Sequence, residues 1–338
     1  MNIRLILCLT FCVGLLTSCS EEPGSAEKSV ATKSSSKDDI IASLSDEIIE
    51  NPNDANLYIK RALIYQNRNQ MNLAIKDAER ALTLDSTASY FHQVLGELNF
   101  LRGQLGPARQ SLERAAELDE SNTDALLKLA EVQFLLRRYE ESINSINTAL
   151  VQNDRLAQGY FIKGYVYKEI GDTTLAKSSF QTVIEINPEH YEGYMELGSL
   201  FALEGDPLAL EYFNSALELK PKSAEAFYHK GMFLQAGSRY LDAKNTYREL
   251  LQVDRGNVLA FYNLGYLYLT EFLEFDTAIA YFDSALAIRP DYIEAMVNKG
   301  LAQEELELFG DAENSYRAAL SVDPQFDPAA KGLSRLLE

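Results

Sequence analysis

Hydrophobic and polar positions along this chain follow a helical rhythm that breaks and restarts at regular intervals. The clearest stretch is Ala157 to His190, AQGYFIKGYVYKEIGDTTLAKSSFQTVIEINPEH. Tyr160, Gly164 and Tyr167 stand four and three residues apart, and Ala176, Phe180 and Val183 repeat that spacing after a Gly171-Asp172 step. Residues three and four apart share one face of an α-helix, so each half predicts an amphipathic helix. Gly171-Asp172 stops the first helix and Asn187-Pro188 the second. Helices this short are unstable alone and must bury their apolar stripe on a neighbour. The same pattern recurs on both sides about every 34 residues, and it supplies that neighbour.

At this period the chain divides into eight units: 55–88, 89–122, 123–156, 157–190, 191–223, 224–257, 258–292 and 293–326. The fifth is one residue short and the seventh one long, both in the turn between the paired helices, where length changes are tolerated best. In the fifth, Asp206-Pro207 predicts an N-cap and a first-turn proline. Closing turns carry Asn187-Pro188, Lys220-Pro221, Arg289-Pro290 and Asp323-Pro324. Asp38 to Glu50 predicts a single helix ending in Asn51-Pro52, within an N-terminal capping segment at 38–54. Residues 327–338 predict a short C-terminal capping helix, polar on its outer side.

The repeat resembles the tetratricopeptide family. That pattern has an aromatic at position 4, Leu-Gly at 7 and 8, Tyr at 11, Ala at 20, an aromatic at 24, Ala at 27 and Pro at 32. The seventh unit carries Phe261, Leu264-Gly265, Tyr268, Ala278, Phe282, Ala285 and Pro290. The fifth carries Tyr194, Leu197-Gly198, Phe201, Ala209, Phe213, Ala216 and Pro221. The second and third units are the weakest matches, the third with Ser142 in place of the first alanine. The resemblance covers residues 55–326 and implies an all-α fold, a right-handed α-solenoid of tandem helix-turn-helix repeats. Small side chains at 8, 20 and 27 would let helices approach, and large ones at 4, 11 and 24 would fill the space between them.

The family's working surface is the concave side, lined by the first helix of each repeat at positions 2, 5, 9, 12 and 13. The resemblance therefore implies a protein-binding groove built on Tyr90, Phe100, Phe134, Phe161, Tyr165, Met195, Tyr228, Met232, Tyr262 and Tyr266. Ile59, Leu101, Leu127, Leu203, Leu269 and Val297 extend that apolar wall, and Glu97, Asp124, Glu131, Glu192, Glu225, Glu294 and Glu304 border it. These positions are expected to be free of packing duty within a repeat. Tyr, Phe and Met are enriched at interfaces, so the expected ligand is a protein or peptide segment with apolar anchors and basic flanks. Asn263 and Asn298 at position 6 could bond a ligand's main chain. Tyr262, Tyr266 and Val297 stand where relatives that clamp chaperone carboxylates need Lys and Asn.

Composition and charge narrow the partners. The chain has 338 residues, 46% of them hydrophobic, with a formal charge of −19. A surface this acidic repels phosphate backbones, so no nucleic acid is expected as a partner. Residues 1–18 read as a targeting segment: Arg4, the apolar run Leu5 to Leu16, then Leu16-Thr17-Ser18-Cys19. That ending resembles a bacterial lipoprotein signal and implies cleavage before Cys19 and acylation of that residue. The membrane would then be reached through the lipid alone, and residues 19–37, poor in large apolar side chains, read as an acylated flexible tether. Ser20 does not resemble the aspartate of inner-membrane retention, so the expected place is the bacterial outer membrane, on its periplasmic or surface face.

No catalytic constellation stands out. The only cysteines are Cys8, Cys12 and Cys19, the histidines His92, His190 and His229 lie in different units, and no Gly-rich phosphate loop follows a strand. No cofactor and no metal are expected. The sequence favours a non-enzymatic scaffold anchored in the envelope. One alternative is an assembly or piloting lipoprotein of an outer-membrane secretion, pilus or motility machine. Another is the substrate-recruiting arm of a separate enzyme.

Overall fold

The computed structural model describes residues 37–337, which form eighteen α-helices and no strand. The signal segment, Cys19 and the tether up to residue 36 lie outside the described residues. Helix α1 (Lys37–Glu50) is followed by eight helical hairpins. Their first helices are α2 (Ala55–Asn67), α4 (Ser89–Leu101), α6 (Thr123–Leu135), α8 (Ala157–Ile170), α10 (Tyr191–Leu203), α12 (Ala224–Ala236), α14 (Val258–Thr270) and α16 (Ile293–Glu305). Their second helices are α3 (Met71–Leu84), α5 (Leu105–Leu118), α7 (Tyr139–Gln152), α9 (Thr173–Ile186), α11 (Leu208–Leu219), α13 (Tyr240–Val253), α15 (Phe275–Ile288) and α17 (Phe309–Val322). Helix α18 (Asp327–Leu337) packs on the last hairpin, with Ala329 fully buried.

Each hairpin turns through one residue in the left-handed region: Asn69, Gly103, Arg137, Gly171, Gly205, Ser238, Leu273 and Glu307, with φ between +54° and +86°. Five of these eight are not glycine, so helix packing, not glycine alone, imposes the turn. The next amide then reaches back to satisfy a free carbonyl, as Asp172 N does to Tyr167 O at 2.9 Å. In the seventh unit the extra residue lengthens this loop, and Glu274 N reaches Tyr268 O at 2.9 Å. In the fifth the missing residue comes out of the second helix: α11 has 12 residues where every other second helix has 14. Pro207 is already helical at φ −56°, and the Asp206 carboxylate accepts from Leu208 N at 2.9 Å.

The closing turns do not depend on proline. Asp85, Asp119, Asn153, Asn187, Asp254 and Asp323 each accept at Oδ1 from the backbone N–H two residues on, at 2.8–3.2 Å. A side chain that supplies its own turn stops the helix whether or not a proline follows.

The core is a row of apolar clusters set between the helices along the array. At Gly198 an added methyl carbon would sit 2.6 Å from the Phe213 ring, and at Gly265 2.7 Å from the Phe282 ring. Both rings are fully buried, so the glycines are what lets the two backbones close on them. In the third unit Ser142 takes the place of an alanine. Its hydroxyl donates to Ala130 O at 2.8 Å, so the buried polar atom is satisfied across the hairpin.

Candidate protein-binding groove

The first helices of successive repeats touch directly: α2 with α4, α4 with α6, α6 with α8, α10 with α12, and α14 with α16. No second helix approaches the next second helix as closely among the described residues. A stack closed on one side and splayed on the other is concave on the closed side, which the first helices therefore line. Between α8 and α10 the connection is made by side chains. Tyr165 Oη donates to Glu196 at 2.8 Å, and Lys168 Nζ to the other carboxylate oxygen at 2.5 Å.

Beside that bridge lies an apolar cleft of about 360 Å³. Lys168, Ser199, Leu200, Leu203, His229, Met232, Phe233 and Ala236 contribute to its walls, and the Phe213 ring forms part of its floor. Leu203 is 81% exposed and Met232 43% exposed, so two large apolar side chains meet solvent at its rim. Exposed apolar groups gathered on a concave face form the kind of surface that another chain covers.

The sequence-based residues divide into three groups. Tyr90, Met232 and Tyr266 are exposed on the wall, as a binding role needs. Phe100, Phe134, Tyr165, Tyr228, Tyr262 and Asn298 are part-buried and already engaged. The Lys128 ammonium lies 4.8 Å from the Phe100 centroid, and Phe134 lies 6.4 Å from Tyr165. Tyr228 meets His229 edge-on at 5.9 Å. Asn298 Nδ2 donates to Tyr262 Oη at 3.0 Å, and Tyr292 packs 4.9 Å from the Tyr262 ring. Burial, together with Tyr292 and Glu294, pushes the Tyr262 phenol up to about 12, and burial and Glu196 push Tyr165 up as well.

The third group corrects the expectation. Phe161, Met195 and Asn263 are buried, at 3%, 6% and 8% exposure, and do not form an open wall. Ile59, Leu127, Leu269 and Val297 are buried too. All of these but Asn263 and Leu269 occupy position 5, and the reason is the next repeat. The residue that starts the following first helix covers them: His190 lies 4.7 Å from Phe161, as Tyr292 does near Tyr262. In the second unit Asn122 Nδ2 donates to Gln93 Oε1 at 2.9 Å in the same register. Position 5 is thus an inter-repeat packing site. Asn263 is enclosed beside Met232, with its Nδ2 3.7 Å from the sulfur.

The acidic border is partly committed as well. Glu192 accepts from Lys220 Nζ at 3.1 Å, Glu131 from Lys128 at 2.6 Å and Glu304 from Arg335 at 2.8 Å. Asp124, Glu225 and Glu294 remain exposed along the groove. Sequence reasoning overlooked Leu135 and Ala236, which share the register of Leu101 and Leu203 and were readable from it. His190 has a local role: its Nδ1 accepts from Gly193 N at 3.1 Å and caps α10. Among the described residues no group of His, Cys, Asp or Glu is arranged to hold a metal. No described helix is long and apolar enough to cross a membrane.

Family models described as tetratricopeptide repeat match residues 55–87, 102–157, 157–190, 233–293 and 293–326. The chain belongs to the tetratricopeptide repeat family. Members of this family bind peptides or proteins. Among the curated relatives, the human Protein O-mannosyl-transferase TMTC3 is 25% identical over 280 residues, spanning 81% of this chain and 27% of the relative. A DnaJ homolog subfamily C member 7 homolog of Schizosaccharomyces pombe is 24% identical over 299 residues, or 82% of this chain and 58% of the relative. The chain therefore spans less than two thirds of either. Among solved structures, the C-terminal part of a tetratricopeptide repeat-containing protein from Cytophaga hutchinsonii superposes with a TM-score of 0.63 at 15% identity, covering 70% of this chain and 98% of that one. That likeness establishes the solenoid fold.

Proposed function

We propose that this tetratricopeptide protein is a non-enzymatic scaffold, held to the bacterial envelope by lipid on Cys19, that captures a protein segment in its concave groove. An apolar side chain of the partner enters the cleft between α10 and α12, and basic residues flank it near Asp124, Glu225 and Glu294. The observation that carries this reading is the exposure of Leu203 and Met232 at the rim of an apolar cleft on the concave face. Burying two such side chains supplies on the order of 2–4 kcal/mol towards binding. The lipid rests on the four residues Leu16-Thr17-Ser18-Cys19 and their place after an apolar run.

The test is a photo-crosslinking residue at Met232 in native envelopes, with Leu203→Asp as the comparison. A discrete crosslinked partner that disappears in Leu203→Asp, with the melting temperature unchanged, supports the groove. Crosslinks that persist in Leu203→Asp overturn it. Intact-mass spectrometry of the same material checks the anchor, since an acylated Cys19 is expected as the first residue and a retained Met1 refutes it.

A further inference from the structure

All eight turns between paired helices lie along one edge of the stack, because every hairpin runs in the same direction. Charge is segregated along that edge. The first two turns and their flanks, residues 67–73 and 101–107, carry Arg68 and Arg102 and no acid, and the third, residues 135–141, carries Arg137 beside an Arg138–Glu141 pair and Glu140. The last two, residues 270–276 and 305–311, carry Glu271, Glu274, Glu305, Glu307 and two aspartates and no base. Apolar groups are exposed at both ends. Leu101 and Leu135 are 52% and 43% exposed at the basic end, and Leu273 and Phe309 are 63% and 55% exposed at the acidic end. Leu273 is also left-handed at φ +54°. A bulky residue held in that conformation and facing solvent is unfavourable, and the hairpin holds it there through the bond from Glu274 N to Tyr268 O.

The geometry points to a second copy of this chain as the partner: the basic end of one turn edge docks on the acidic end of another. Arg102 and Arg137 face Glu274 and Glu307, while the exposed leucines and Phe309 pack between them. Asp172, Glu204 and Asp206 occupy the middle of the same edge, and Arg239 in the sixth turn is paired with Asp242 at 2.9 Å. Full overlap of two edges would set these acids against each other, so the copies associate staggered, end to end. Such a contact joins two different surfaces and leaves a free end on each copy, so it propagates instead of closing as a pair. The net charge of −19 opposes any encounter at very low salt. Near 0.1 M, screening over about 10 Å leaves only facing charges to act.

Sedimentation velocity on the full chain, kept in one detergent throughout, tests this contact. The weight-average mass is expected to rise with concentration near 0.1 M salt and to fall back at about 1 M. Arg102→Glu with Arg137→Glu is expected to weaken association at least about tenfold with helicity unchanged. Glu274→Lys with Glu307→Lys should do the same, and a chain carrying all four substitutions should associate again. A monomer at every concentration overturns the inference, as does association that the reversals leave unchanged. A monomer whose acidic end instead binds a polylysine peptide also overturns it, and assigns that end to a basic partner.

Discussion

The first three repeats and the last five reach the same fold with different core residues. In the first and third, alanine stands at position 8 (Ala62, Ala130) and a small or aliphatic residue at position 24 (Ala78, Ile146). The second pairs Gly96 with Leu112. From the fourth onward every position 8 is glycine and every position 24 aromatic: Gly164 with Phe180, Gly198 with Phe213, Gly231 with Tyr247, Gly265 with Phe282, and Gly300 with Tyr316. The two sites therefore share one volume. A ring on one helix leaves no room for a β-carbon on the other, and neither does Leu112, 2.6 Å from a β-carbon at Gly96, whereas Ile146 and Ala78 stand opposite alanine. The turn edge changes too, from arginine in the first three turns to carboxylate in the last two, with Arg239 still in the sixth. One end of the array is thus aliphatic within and basic along its turns, and the other aromatic and acidic.

The strongest way to break this comparison is to remove a ring. Phe282→Ala should cost about 3–5 kcal/mol, because a fully buried aromatic leaves a cavity between two helices that cannot collapse. Hydrogen exchange should show α14 and α15 opening first while α2 to α7 keep their protection, since repeats interact mainly with their neighbours.

Overfilling comes next. Gly265→Ala should cost about 1–3 kcal/mol, with its methyl 2.7 Å from the Phe282 ring. Combined with Phe282→Ile, which imitates the Ala130–Ile146 pair of the third repeat, the loss should be smaller than the sum of the single changes by about 1 kcal/mol. Strict additivity in urea titrations would show that the two positions do not share a volume.

A smaller effect concerns the join between the fourth and fifth repeats. Burial holds the His190 imidazole below its ordinary value, against the opposing pull of Glu192. The unfolded chain therefore takes up the proton first as pH falls. The stability this histidine contributes is complete above about pH 6.5 and is lost as pH drops through its lower folded value. His190→Asn keeps a cap for Gly193 N but cannot titrate, so its melting temperature should vary less between pH 7 and 5 than that of the parent chain. The smallest effect is expected at the turns. Leu273→Gly should stabilise by up to about 1 kcal/mol by relieving a left-handed leucine, and Gly171→Ala should destabilise by a similar amount, both readable in thermal melts.

Much of this was legible in the sequence. The period, the paired helices and the spine at positions 8, 20, 24 and 27 depend on contacts within one hairpin, and spacing along the chain encodes those directly. The groove was legible only in outline. Tyr90, Met232 and Tyr266 are open as expected, but Phe161 and Met195 are buried. Their register resembles that of an exposed wall until the following helix is laid over it. Tyr262 and Asn298 show the same limit: 36 residues apart, they spend their polar atoms on each other.

The sequence by itself determined the class of fold, its period, where its turns fall and which side chains fill each hairpin, because a helix face is a local property of residues three and four apart. Only the tertiary structure decided which wall residues stay open, which carboxylates are already paired, and where exposed leucines gather on one edge. Those outcomes depend on how far one repeat leans over the next, and no spacing within a single repeat carries that information.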